Sequence, residues 1–157
     1  MTHPTVDLEK LLAIQPVVAS FARQFIDVDP TRHDELSALI RPRDEDWARV
    51  FLSPWDVQAR EGYAGLWSQS AHPFNKPGQT QVLAAAAQAV MLTVDNPLSS
   101  KFPGGYRRVA DKLHPDRIWA IFKYVVPGER LGMAWDGLVR VDEGRWAWFP
   151  KPWRVIG

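Results

Sequence analysis

The chain has 157 residues, 46% hydrophobic and 24% charged, with a formal charge of +1, a balance that fits one globular domain over residues 1–157 and excludes a disordered or polybasic chain. The absence of cysteine excludes disulfides, thiolate zinc sites, iron–sulfur clusters and cysteine nucleophiles. No apolar run approaches the roughly 18 residues that span a bilayer, and the opening MTHPTVDLEK carries acids where a secretion signal carries bases, so the expectation is a cytoplasmic protein with no membrane association.

Charge is uneven along the chain. Residues 1–62 hold seven bases against eleven acids, and residues 63–157 hold twelve against seven. The two halves either pack or solvate their opposite charges, or the second half offers a basic surface to an anionic partner.

In chain order, the first 67 residues read as short helices punctuated by proline and polar capping residues. Pro16 costs about 3 kcal/mol inside a helix, so the pattern predicts one helix over Val6–Ile14 and another over Pro16–Ile26, the latter with Val18, Phe21 and Phe25 on one stripe. After the turn Asp27-Val28-Asp29-Pro30, Asp34–Ile40 is expected to bury Leu36, Leu39 and Ile40 and to end at Arg41-Pro42. Asp44 or Asp46 can cap a helix with Trp47, Val50 and Phe51 on one face. Ser53-Pro54-Trp55-Asp56 then reads as cap, first-turn proline and first-turn acid of a helix reaching Trp67.

Residues 68–79 are loop by composition. The stretch TQVLAAAAQAVMLTV is open between helix, which its alanines favour, and a buried strand that turns into a helix, which its flanks favour. Phe102, Tyr106, Val109, Ala110 and Leu113 form the clearest helical stripe of the chain. Strands are expected over Ile118–Val126, Arg130–Val141 and Arg145–Phe149. Leu131, Met133, Trp135, Val139 and Val141 are placed on one face of the middle strand. With a two-residue first loop, Phe122 pairs with Met133, Tyr124 with Leu131 and Asp136 with Trp119; a longer second loop would swap the side that Trp146 and Trp148 face.

Helices first and a meander last predict an α+β domain, with N-terminal short helices packed on a curved C-terminal antiparallel β-meander. This order of elements resembles the NTF2-like α+β cone superfamily over most of the chain, at the level of fold and not of a motif. The resemblance implies helices on the concave side of a bent sheet and a pocket at its open end. Its strand count is met only if Thr80–Ala86 is itself a strand.

The motifs for dinucleotides, nucleotide phosphates, hydrolase nucleophiles and zincins are absent. His3, His33, His72 and His114 are isolated, so no metal is expected, and no cofactor either. His114-Pro115 reads as a helix end. Five of the eight tryptophans, Trp119, Trp135, Trp146, Trp148 and Trp153, lie in the last forty residues, as core, as an aromatic wall for an apolar ligand, or as an anchor for a protein partner. Asp136 interrupts an apolar strand beside Gly137, which permits a bulge. It is either a paired surface carboxylate or, as in pockets of the cone-shaped enzymes this chain resembles, a general base or protonated donor.

Pro150-Lys151-Pro152-Trp153-Arg154 reads as an extended segment that clamps an anion, stacks a base, or latches the C-terminus onto the sheet by burying Trp153. Gly104-Gly105 with Arg107 and Arg108 carries only a weak phosphate signal, and a nucleic-acid partner is disfavoured. The expected function is a non-enzymatic binding domain for a protein partner, of accessory or immunity type, or for an apolar ligand, with Trp119, Trp135, Trp148, Lys151, Trp153 and Arg154 as contacts. The alternative is an enzyme on a small apolar substrate with Asp136 as base, assisted by Tyr106 or His72.

Overall fold

The computed structural model describes residues 8–157; His3, Val6 and the start of the first expected helix lie outside the described residues. Helix α1 spans Leu8–Ala22 with Pro16 inside it, so the expected break does not occur. Pro16 withdraws the donor that would meet the carbonyl of Leu12. Leu12 stands 62% exposed, on the side where water can replace that donor. Leu11, Ile14, Val18 and Ala22 form the buried stripe, and each large aliphatic among them contributes roughly 1.5–3 kcal/mol by leaving water.

A 3-10 turn over Pro30–Arg32 leads into α2, His33–Ile40. Leu36 and Ile40 are buried, but Leu39 is 45% exposed, because a two-turn helix lying on the core can bury only one stripe. Helix α3 covers Asp46–Val50 and α4 covers Trp55–Ser68. Asp46 is fully buried, and its carboxylate grips Arg145 through two bonds of 2.6 and 2.8 Å while accepting the backbone N–H of Arg43 at 2.7 Å. Pro54 precedes α4, and no side chain caps that helix.

The alanine-rich stretch resolves into strand β1, Gln81–Gln88, followed by a 3-10 turn over Ala89–Thr93. The stripe from Phe102 to Leu113 is buried throughout, yet only Tyr106–Val109, helix α5, is α-helical, with a 3-10 turn after it. Pro103-Gly104-Gly105 is a poor helix start, and burial there is supplied by the surrounding aromatics. Strands β2, Ile118–Val125, β3, Gly132–Asp142, and β4, Arg145–Trp148, complete an antiparallel sheet in the order β1-β2-β3-β4. The chain ends in a short helix, α6, Trp153–Ile156, where an extended latch was expected.

The β2–β3 connection is longer than two residues. Phe122 pairs with Trp135, Tyr124 with Met133 and Trp119 with Val139, so each expected pairing moves. Leu131 falls in the turn, 85% exposed. Between Ala120 and Phe122 the register shifts: Asp136 and Gly137 together span what Ile121 alone spans opposite. This bulge reverses the side-chain parity of β3 at its middle, which no single-face reading of that strand allows. A second irregularity at Val141 precedes the two-residue turn between Asp142 and Arg145.

Helices cover both faces of the sheet. On one, Tyr124 donates its O–H to the carbonyl of Ala22 at 2.6 Å and Trp146 meets Phe21, which seats α1. On the other, Trp119 packs edge-on against Phe51 and Tyr106. No single helix among the described residues is long and apolar enough to cross a membrane.

Candidate functional site

The second face is covered only along part of its length. Register and alternation arrange its side chains in rows across the strands: Leu83, Lys123 and Ala134, then Ala85, Ile121 and Asp136, then Ala87, Trp119 and Val139. The last row is buried beneath α5 and Phe51. The first two rows floor a cavity of about 730 Å³, walled on the far side by Lys101, Phe102, Pro103, Lys151 and Trp153.

Asp136 sits at the covered end of this cavity and is 7% exposed. The bulge aims it. Gly137 adopts φ +87°, and a Cβ there would lie against the carbonyl of Phe149, so only glycine lets the segment after β4 approach so closely. Phe149 returns its N–H to the Gly137 carbonyl at 2.7 Å, and the Trp148 indole N–H reaches the Asp136 carbonyl at 2.8 Å. The backbone of residues 149–151 therefore wraps the bulge. Tyr63 of α4 holds that wrap by donating to the carbonyl of Pro150 at 2.9 Å.

Two donors converge on one carboxylate oxygen. The Tyr106 hydroxyl donates to Oδ2 of Asp136 at 2.6 Å, and the Lys151 backbone N–H donates to the same oxygen at 2.8 Å. Neither of these donors is shared with Oδ1. Burial pushes the Asp136 carboxyl up from the usual carboxylate range, opposed by the Tyr106 hydroxyl and by the amide and charge of Lys151. Burial, and after it the Asp136 charge, drives the Tyr106 hydroxyl well above its ordinary value, so it stays a donor. Its ring lies between Phe102, Trp119 and Trp153, all edge-on at 5.2–5.6 Å.

Of the residues singled out from the sequence, Asp136 and Tyr106 are joined, whereas His72 is elsewhere. It packs on His33 at 4.7 Å and on Phe25 at 6.2 Å, and it does not line the cavity. Lys151 and Trp153 form part of the wall. Trp135 reaches the cavity from the intervening row, whose side chains point to the opposite face. There its indole packs against Phe74 and Trp148 and donates to the Phe74 carbonyl at 2.9 Å. Trp148 is buried on that side as well, Trp119 lies in the covered row, and Arg154 is exposed away from the cavity.

Lys101 and Lys123 also line the cavity, and the sequence reading passed over both. Lys123 was legible: it shares the parity of Trp119 and Ile121, so it places a charge on an otherwise apolar face of a central strand. Lys101 lies in a turn and carried no such signal. Among the described residues, no three His, Asp or Glu side chains are grouped as a metal site would require. Compared with known proteins, the chain matches no protein-family model, no curated protein and no solved structure.

Proposed function

We propose that the chain is a binding domain that holds a small, mainly apolar ligand between the Leu83–Ile121 face of the sheet and the wall of Phe102 and Trp153. The observation that carries this reading is the cavity. Its volume of about 730 Å³ falls within the range of small-molecule sites, and its lining is apolar apart from three lysines and one convergent carboxylate. The NTF2-like comparison belongs with this reading, since both describe an antiparallel sheet whose covering segments leave a pocket at one end. A protein partner anchored by exposed tryptophan has less support, because all eight tryptophans are buried or half-buried.

The reading is tested with Nile red, a neutral probe whose emission rises in apolar sites. The expected result is saturable binding to the native chain and its loss in Ala134→Trp, which sets an indole into the cavity from an exposed strand position. Saturable binding unaffected by that substitution would remove the cavity from the argument.

A second reading, acid–base chemistry with Asp136 as base, draws on the 2.6 Å contact with Tyr106 and on the place of Asp136 in the cavity lining. A ligand recovered with the chain that exchanges a carbon-bound hydrogen for deuterium only with Asp136 intact would favour it. Recovery of the ligand unlabelled in heavy water would set it aside.

A further inference from the structure

The cavity's charged groups are unevenly placed. Asp136 alone among its lining residues is acidic, and it lies at the covered end, already meeting Tyr106 and the Lys151 amide. Lys101, Lys123 and Lys151 are the other charged lining groups, from three separate segments: the 3-10 turn over Ser99–Lys101, the middle of β2, and the loop after β4. No ion pair in the described residues involves any of these ammonium groups.

Lys123 is the most telling of the three. It is half-buried on a central strand, with Leu83 beside it on β1 and Ala134 beside it on β3. A lysine needed only for solubility gains nothing from that position, where its stem covers apolar surface and its head must still reach water or an anion.

The geometry points to a ligand that is an amphipathic anion, with its apolar body on Leu83, Ala85 and Ile121 and its anionic group met by the lysines that line the cavity, Lys123 on the floor and Lys101 and Lys151 on the wall. This inference rests on the reading of the cavity as a ligand site and names the chemical class of its occupant. Apolar contact supplies most of the affinity, and the lysines select the sign of the head group. A cation with the same body meets three like charges against one carboxylate that already holds two donors, and binds more weakly.

The test displaces Nile red from the native chain at low salt with three ligands of one chain length: decanoate, decan-1-ol and decyltrimethylammonium, each below its micelle concentration. Decanoate is expected to bind about tenfold more tightly than decan-1-ol, and the ammonium more weakly than either. Lys123→Met keeps the apolar stem and should narrow the preference for decanoate over decan-1-ol to about threefold, with a cooperative thermal melt reporting an intact fold. If Lys123→Met fails to fold, Lys101→Gln, at an exposed turn, should narrow the same ratio.

Decan-1-ol binding as tightly as decanoate would overturn the anion inference and leave the pocket reading standing. Nile red without saturable binding would remove both.

Discussion

Replacing Tyr106 by Phe deletes one buried oxygen and nothing else. The hydroxyl makes a 2.6 Å bond to Asp136, a carboxylate only 7% exposed that keeps one other donor, the Lys151 amide. A hydrogen bond to a charged group contributes about 1.5–3 kcal/mol, so the variant should lose about 2 kcal/mol near neutral pH. For a chain of this size that lowers the melting temperature by about 4–8 °C.

The loss should depend on pH in a definite direction. The Tyr106 hydroxyl pulls the Asp136 pKa down against the larger effect of burial. Without it the native variant holds its proton to higher pH than the native parent, and stability falls, relative to the parent, as pH rises through that window. When Asp136 is protonated the deleted bond is a neutral one, worth about 1 kcal/mol. Urea denaturation of both proteins at pH 4 and pH 8 measures the difference. A cost below about 0.5 kcal/mol, or one identical at the two pH values, would refute the account of Asp136 as a buried carboxylate held by Tyr106.

Three further outcomes follow from the same structure. Asp136→Asn retains an acceptor for Tyr106 and Lys151 but cannot ionise. Because burial raises the native pKa, the cost of charging Asp136 is absent below about pH 3.9 and grows as pH rises towards the native value. The variant's stability relative to the parent should therefore improve on going from pH 3.5 to pH 7, read by urea midpoints. Arg145→Met leaves the fully buried Asp46 without its two-pronged partner and should cost about 3–5 kcal/mol at pH 7. Burial acts to raise the Asp46 pKa, but the Arg145 bond, the Arg43 amide and the nearby cations together hold it low; the stability it provides is present at neutral pH and lost as pH falls, so the cost of Arg145→Met should shrink in acid. Gly105→Ala sets a Cβ 2.2 Å from the Trp153 ring and should cost about 1–3 kcal/mol by thermal melting, with weaker Nile red binding because the displaced indole is part of the cavity wall.

Several features were legible without coordinates because their causes are local. The period-2 alternation of the last forty residues marks three strands, Asn96-Pro97 and Pro127-Gly128 mark breaks, and the 3.6-period spacing from Phe102 to Leu113 marks a buried face. Each depends on residues two to four positions apart. Asp136 stood out for the same reason, as a charge in an apolar strand next to a glycine.

Pairing and enclosure are different in kind. Whether Pro16 breaks a helix depends on whether the Leu12 carbonyl faces water, which the docking of α1 decides. The register of β2 on β3 depends on loop length, and the bulge at Asp136 and Gly137 turns the carboxylate towards a tyrosine thirty residues earlier. The same bulge puts the Trp135 ring on the face opposite Val139, where an unbroken strand would have set both on one side. The sequence by itself determined which segments bury a face and which residues are chemically out of place there. The tertiary structure alone decided which of those residues meet, because a one-residue change of register reverses every side chain that follows it.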